Sequence, residues 1–518
     1  MNVKKSLALI SAALMIFGTL CSCTAQTQPP TTEASRTEGT SATSGSASDE
    51  EIPVIRLGLN QLWSDCRNEQ EVEDAMNAIL SEKYHVKIDI VLIQMASLQT
   101  QMNLALTGGD DAFDVYTSFI YQPMSTLVSN GQAIALDDYL DANAPETMEL
   151  LSIYPEAVLD CCRIDGKLYA LPAINTWAIS DNYMVRKSAS DKAGIDWDKV
   201  NSLDTLTEAL VKLKDANPDK YFIPGATVSY FEPKDIDNLG DTNYLGVITD
   251  PLNSTTVENY YESEYFIHFL DNVKIWKEHG IISPNSMSND ETNLGSLENG
   301  IVDGTIGYSW NIEDSLYNMN FTQQFGEDIV GAEFTDRYMT TGNVTLCLWH
   351  VSPFCQNPDA AVRLLNALYT DPECAMLIAN GIEGKDYVYD DAGQLSFPEG
   401  ETGRTVGWNS GNGSFLPNSF QLPQWNSASP NYNENVVAAN KSAIPSKALG
   451  FVCDTEPIAD QMAACANVIA QYYLPLINGE VAIDEVLPVF QKALKDAGID
   501  AIIAEKQAQL DAWLASKR

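Results

Sequence analysis

The sequence predicts an α/β fold in more than one lobe, closed by a helical region. Three observations carry this. Strand and helix patterns alternate where folding begins, and about 470 residues follow the N-terminal segment, against roughly 100–200 for a single domain. The pattern from Ile458 to the end is almost wholly helical.

The elements follow in order. Lys4 and Lys5 precede an apolar run from Ser6 to Leu20 and then Leu20-Cys21-Ser22-Cys23, the plan of a signal peptide. The run is shorter than the roughly 20 residues a spanning helix needs. The pattern resembles the lipobox of bacterial lipoproteins, with Leu20 three before Cys23 and Ser22 directly before it. Cys23 is therefore the expected lipidation site, carrying a diacylglyceryl thioether and an acyl group, each buried methylene contributing about 0.8 kcal/mol. An ordinary secretory cut is the plainer alternative. Thr24 to Asp49 is Thr, Ser, Gly, Ala and Pro with few large apolar residues, a flexible tether.

IPVIRLGL (Ile52 to Leu59) alternates like a half-buried strand. NEQEVEDAMNAILSEKYH places Val72, Met76, Ile79 and Leu80 at helical spacing. VKIDIVLI (Val86 to Ile93) is a second strand, LQTQMNLALTGG a second helix and FDVYTS (Phe113 to Ser118) a third strand. This alternation implies parallel pairing with right-handed crossovers. DTLTEALVKLKDAN and ESEYFIHFLDNVKIWKEHG are helical in period, while GTIGYS (Gly304 to Ser309) and NVTLCLWHV (Asn343 to Val351) read as strands. PDAAVRLLNALYTDPECAMLIANG reads as two helices broken at Asp371-Pro372.

With 30 Lys and Arg against 71 Asp and Glu, the formal charge is -41. Nucleic acid and anionic headgroups are repelled, so no nucleic-acid partner is expected. Eight cysteines remain beyond Cys23, too sparse for a disulfide scaffold, and buried thiols are expected.

Catalytic and metal signatures are absent: no HExxH, GxSxG, P-loop or GxGxxG occurs. Cys347, His350 and Cys355 come nearest to a metal cluster, but Cys347 and His350 fall on opposite faces of an extended strand. DIDNLGDTNYLG (Asp235 to Gly246) begins like an EF-hand loop, yet Leu239 stands at its fifth position and Gly246 at its twelfth, where a bidentate glutamate is needed. It reads as a turn. No cofactor or metal is expected.

Trp63, Trp177, Trp310, Trp349, Trp408 and Trp425 fall near strand ends or in loops rich in Asn, Gly, Ser and Asp. An indole face packs on sugar C–H groups while amides and carboxylates take hydroxyls, so the set points to a saccharide. Packing of each ring in its own lobe is the plainer alternative.

DGKLYALP (Asp165 to Pro172), NPDAAVRLLNALYTDPE (Asn357 to Glu373), GIEGKDYVY (Gly381 to Tyr389) and the closing run Gly450 to Trp513 together resemble the extracellular solute-binding lipoproteins of ABC importers. The match is to the group-one carbohydrate type, LipO-like subgroup. The resemblance implies a type II periplasmic-binding-protein-like clamp, each lobe a sheet flanked by helices, with no enzymatic activity. On it, residues 1–22 are the signal peptide, 23–52 the lipidated cysteine and tether, 53–175 the first part of lobe one, and 176–343 the first part of lobe two. Residues 344–400 return to lobe one, 401–449 form loops near the cleft, and 450–518 are helical and packed largely on lobe two.

By that analogy Trp63, Asp111, Trp177, Asp181, Trp310, Trp349 and Trp408 are the candidate ligand residues. The expected ligand is an oligosaccharide, the partners an ABC permease and the membrane through the lipid anchor, and the state a monomer on the outer face of the cell membrane. A peptide or amine ligand, a surface glycoside hydrolase and a glycan-capture adhesin are the alternatives.

Overall fold

The computed structural model describes residues 51–517 apart from positions 63, 232 and 427 and the stretches 95–96, 109–111, 120–121, 226–230, 285–288, 290–292, 310–325 and 412–414. Strand β1 (Val54–Gln61), helix α1 (Glu69–Lys83), β2 (Lys87–Gln94), α2 (Leu98–Ala105) and β3 (Val115–Phe119) follow in turn. β1, paired on both sides, buries Ile55 and the unbroken run Leu57 to Asn60, more than the one face its alternation predicts, and the helical spacing of α1 buries Val72, Met76 and Leu80 beneath the sheet. β2 and β3 both run parallel to β1. The sheet is completed by a much later strand that runs antiparallel to β3, pairing Cys347 with Phe119, and at the edge by β4 (Leu171–Pro172), antiparallel to that strand through the pairing of Trp349 with Leu171.

Between those two strands the chain builds a second sheet. β5 (Ser180–Arg186) lies between β6 (Gly304–Ser309) and β7 (Ile329–Glu333), all antiparallel. Helices α3 (Leu203–Ala216) and α4 (Glu264–Glu278) pack against this part through Leu210, Leu213, Phe269 and Trp276. Ser202 and Ser263 cap them, each hydroxyl accepting a backbone N–H of the first turn. The short strand β8 (Tyr338–Met339) leads to β9 (Cys347–Val351), which closes the first sheet. The strand expected from Asn343 starts at Cys347 because Thr340 caps a helical turn, Thr341–Val344.

Helices α5 (Pro358–Thr370) and α6 (Pro372–Asn380) are capped by Asn357 and Asp371, whose side chains accept from Ala360 N and Glu373 N. α7 (Tyr432–Ser442) and β10 (Ile444–Pro445) precede the closing helices α8 (Ala459–Ile477), α9 (Ile483–Ala497) and α10 (Ile499–Ser516). Cys465, Leu476, Phe490, Leu494, Ile499 and Ile502 of the last three share one core with the second sheet and α4. The first sheet has its own core, which holds Trp177, Trp349 and Trp408. An enclosed indole removes about 150–250 Å² from water, worth several kcal/mol at about 25 cal/mol per Å².

The chain therefore passes between the two sheets three times, at 173–179, 334–346 and 443–449. The second and third passages pair in parallel, Tyr338 with Ile444 and Met339 with Pro445. Asn440, fully buried, rivets the first: its Oδ1 accepts from Trp177 N (2.9 Å) and Ala178 N (3.2 Å), and its Nδ2 donates to Asn175 O (2.7 Å). Ile52–Arg518 forms one compact unit. The cysteines from Cys66 to Cys465 are free, buried thiols. Among the described residues no helix is long and apolar enough to cross a membrane.

Candidate functional site

The passages fix which sheet edges face each other. On the first sheet these are the ends of β1 and β3, the start of β9 and the residues after β4; on the second, the start of β5 and the end of β7. Ligands of open α/β sheets gather at such carboxyl edges.

The first edge is overlaid by residues 407–411 and 415–418. Leu62 N donates to Ser410 O (2.8 Å) and Ser64 N to Asn409 O (3.0 Å), while Asn409 N donates to Ser64 Oγ (2.9 Å). Asn68 N donates to Gly407 O (3.0 Å), and a Cβ at Gly407 would fall 2.0 Å from Asn68 Nδ2. A side chain at Gly407 would displace the Asn68 amide, whose Nδ2 donates to Asp386 Oδ1 (3.1 Å). Farther along, Ile174 N donates to Pro417 O (2.8 Å), and the Phe415 ring meets Phe119 edge to face at 5.1 Å. Phe119 and Asn409 stay partly exposed, as do Asn175 and Thr176.

The second edge is ionic. Glu333, at the end of β7, accepts from Arg337 Nε (2.8 Å) and Nη2 (2.5 Å) and from Ser180 Oγ (2.8 Å). The side chains of Glu333 and Arg337 remain 22% and 35% exposed, so both keep polar atoms open to solvent. Beside them Asp181 N donates to Thr335 Oγ1 (2.8 Å), and Asp181 Oδ2 accepts from Lys234 N (2.8 Å). Tyr265 OH donates to Asp235 Oδ1 (2.6 Å). Burial pushes the Asp235 carboxyl up, with the charge of Asp336 adding to it. A guanidinium held in plane by a carboxylate presents fixed donors beside fixed acceptors, which suits paired hydroxyls.

The expected residues divide three ways. Trp63, Asp111 and Trp310 lie outside the described residues. Trp177, Trp349 and Trp408 are enclosed, and each indole N–H is taken by a backbone carbonyl: Ala173 O (3.2 Å), Phe415 O (2.9 Å) and Ile378 O (3.0 Å). Tyr154 meets the Trp177 ring edge to face at 5.0 Å. The expectation of open ring faces is corrected for these three, because the passages and the overlaid segment turn them into the first core. Asp181 stands on the second edge beside Glu333, but it is buried and its carboxylate holds the Lys234 backbone. Trp425, paired with Phe397 at 4.4 Å, keeps partial exposure.

Glu333 and Arg337 were not among the residues expected from sequence. Their signal is an acid and an arginine four apart in EFTDR, directly after a strand. As for metals, His350 uses both ring nitrogens: Nδ1 donates to Tyr169 O (3.0 Å), so Nε2 accepts from Ser118 Oγ (2.8 Å). Among the described residues no group of three or more His, Cys, Asp or Glu side chains is placed to hold a metal ion.

The family model of the bacterial extracellular solute-binding proteins matches residues 68–372, more than half of the chain and both sheets. The chain belongs to the bacterial extracellular solute-binding proteins. As a solute-binding protein it works outside the cell and binds rather than transforms what it holds. A second model, a domain of unknown function (DUF3502), matches residues 447–515.

A carbohydrate ABC transporter substrate-binding protein of Streptococcus pneumoniae serotype 4 (strain ATCC BAA-334 / TIGR4) is 25% identical over 474 residues, covering 90% of this chain and 92% of its own length. Among solved structures, the N-glycan transport solute-binding protein NgtS of Streptococcus pneumoniae shares the fold with a TM-score of 0.76 at 23% identity, over 90% of this solute-binding protein and 100% of that chain. NgtS in complex with Man1GlcNAc has a TM-score of 0.68 at 23% identity, over 89% and 100%.

Proposed function

We propose that this solute-binding protein captures an oligosaccharide between its two lobes and delivers it to the permease of an ABC importer. The observation that carries the reading is where the three passages meet the sheets: they leave the first sheet at the edge that holds partly exposed Phe119 and Asn409 and reach the second at the edge that holds the Glu333–Arg337–Ser180 cluster. Closure about such passages encloses a ligand. The saccharide is supported by the carbohydrate ABC transporter relative and by NgtS, an N-glycan transport protein. The net charge of -41 favours a cationic ligand, a peptide or amine, as the second reading.

The cleft is tested by calorimetric titration of Ile52–Arg518 with N-glycan and other oligosaccharides and with short peptides. Wild type binds a saccharide, and Arg337→Ala weakens it at least about tenfold, the loss of about 1.4 kcal/mol expected for a charged hydrogen bond. Peptide binding without saccharide binding would replace the reading with its rival.

In the same reading Cys23 is lipidated and residues 24–49 are a slack leash that holds a monomeric clamp near its permease at high effective concentration. Cys23→Ser should move the protein from the membrane fraction to the medium. Retention of that variant on the membrane would refute the anchor and leave the cleft untouched.

A further inference from the structure

The loop Asp235–Gly246 begins like a cation-binding loop in sequence and departs from one at Leu239 and Gly246. In the structure it closes on itself. Asp237 N donates to Ile248 O (2.9 Å) and Ile248 N to Asp237 O (2.8 Å), while Leu239 N donates to Asp237 Oδ1 (2.9 Å). Asn243 N and Leu245 N donate to the Asp241 carboxylate at 2.9 and 3.2 Å.

Helix α10 delivers a cation into this turn. Lys506 has a side chain 1% exposed, and its Nζ lies 3.0 Å from Asp241 Oδ2 and 3.3 Å from Gly246 O. A carboxylate oxygen and a backbone carbonyl are donors that a hard divalent cation takes in loops of this kind. Asp237, raised by burial, also feels the Lys506 charge, and Ser446 Oγ donates to its Oδ2 (2.5 Å). Gly246 has φ +87, and a Cβ there would lie 3.3 Å from Lys506 Cδ. Neighbouring amides extend the hold: Gln507 Oε1 accepts from Val257 N (2.7 Å), its Nε2 donates to Thr255 O (3.1 Å), and Gln491 Nε2 donates to Tyr261 O (2.8 Å).

We infer that the C-terminal segment, whose family model is a domain of unknown function, supplies this loop with a tethered cation: the Lys506 ammonium stands in for a divalent ion, and the second lobe holds its shape without metal. The segment is thus a part of the second lobe rather than a separate module. The inference does not depend on which solute is bound.

Melting of the full chain tests it. Wild type should melt at the same temperature with EDTA and with millimolar calcium. Lys506→Met keeps the stem, strips Asp241 of its buried counter-charge, and should lower the melting temperature by about 5 °C or more. Asp241→Asn with Lys506→Met removes both charges and should recover at least half of that loss. A wild-type melt moved more than about 2 °C by EDTA or calcium would overturn the inference, as would a single variant as stable as wild type or a double variant no better than the single. Should the single variant fail to fold, the chelator comparison and the double variant still decide.

Discussion

Burial holds the His350 imidazole at about 4, down from 6.5, with Tyr169 O opposing only in part. An unfolded chain therefore binds a proton near 6.5 that the folded chain refuses until about 4. The contribution of neutral His350 is whole above pH 6.5 and is lost as pH falls from there towards 4, by up to about 3 kcal/mol. His350→Gln can keep both hydrogen bonds without titrating. Urea midpoints at neutral pH and near pH 5 should show the wild type losing more than the variant, and parallel losses would sink the assignment. At this same scale the candidate site was least legible. Asn, Gly and Ser around Trp408 marked a loop correctly, but the direction of the ring is set by Asp386 Oδ1, which accepts from Trp408 N (2.8 Å), and by Ile378 O. Neither contact leaves a trace in local sequence. Glu333 and Arg337 were equally hidden, since a charged pair after a strand looks like any solvated turn until Ser180 is brought beside it.

Elements were more legible, because their causes are local. The alternation in VIRLGLNQ and the caps at Asn357 and Asp371 act within a few residues, and the observed bounds fall within a few positions of those read from pattern. The start of β9 was misread because Thr340 diverts Thr341–Val344 into a helical turn. What pattern could not supply is the riveting of passages by a residue far along the chain. Asn440→Ala strips the partner from two buried backbone N–H groups and one carbonyl, and such orphaned groups each carry a penalty of about 1–3 kcal/mol. Chemical denaturation should show a loss in or above that range, with Asn440→Asp intermediate because it keeps the acceptor. A loss under about 0.5 kcal/mol, the level of ordinary surface changes, would mean that the passages hold without it.

For the whole molecule, the two-lobed plan was legible through length, the βαβ opening and the resemblance of long stretches to a known family, and the family match over 68–372 agrees. The joining of α8, α9 and α10 to the second core was reachable only by resemblance, since helical period says what a helix buries and not against which neighbour. The ion pair of Lys506 with Asp241 spans the same distance and was invisible for the same reason. Charge was legible but unspecific: 71 acids disfavour polyanions away from any local basic patch and leave the solute open.

The central claim is that this clamp takes a saccharide and returns it intact. The most direct measurement is a thermal-shift screen of Ile52–Arg518 against oligosaccharides, monosaccharides and short peptides. A ligand at 100 times its dissociation constant stabilises the folded state by about 2.7 kcal/mol, enough to move the melt visibly. The account predicts that one oligosaccharide family raises the melting temperature and is recovered unchanged. A shift produced by peptides and by no sugar, or a sugar recovered cleaved, would contradict it.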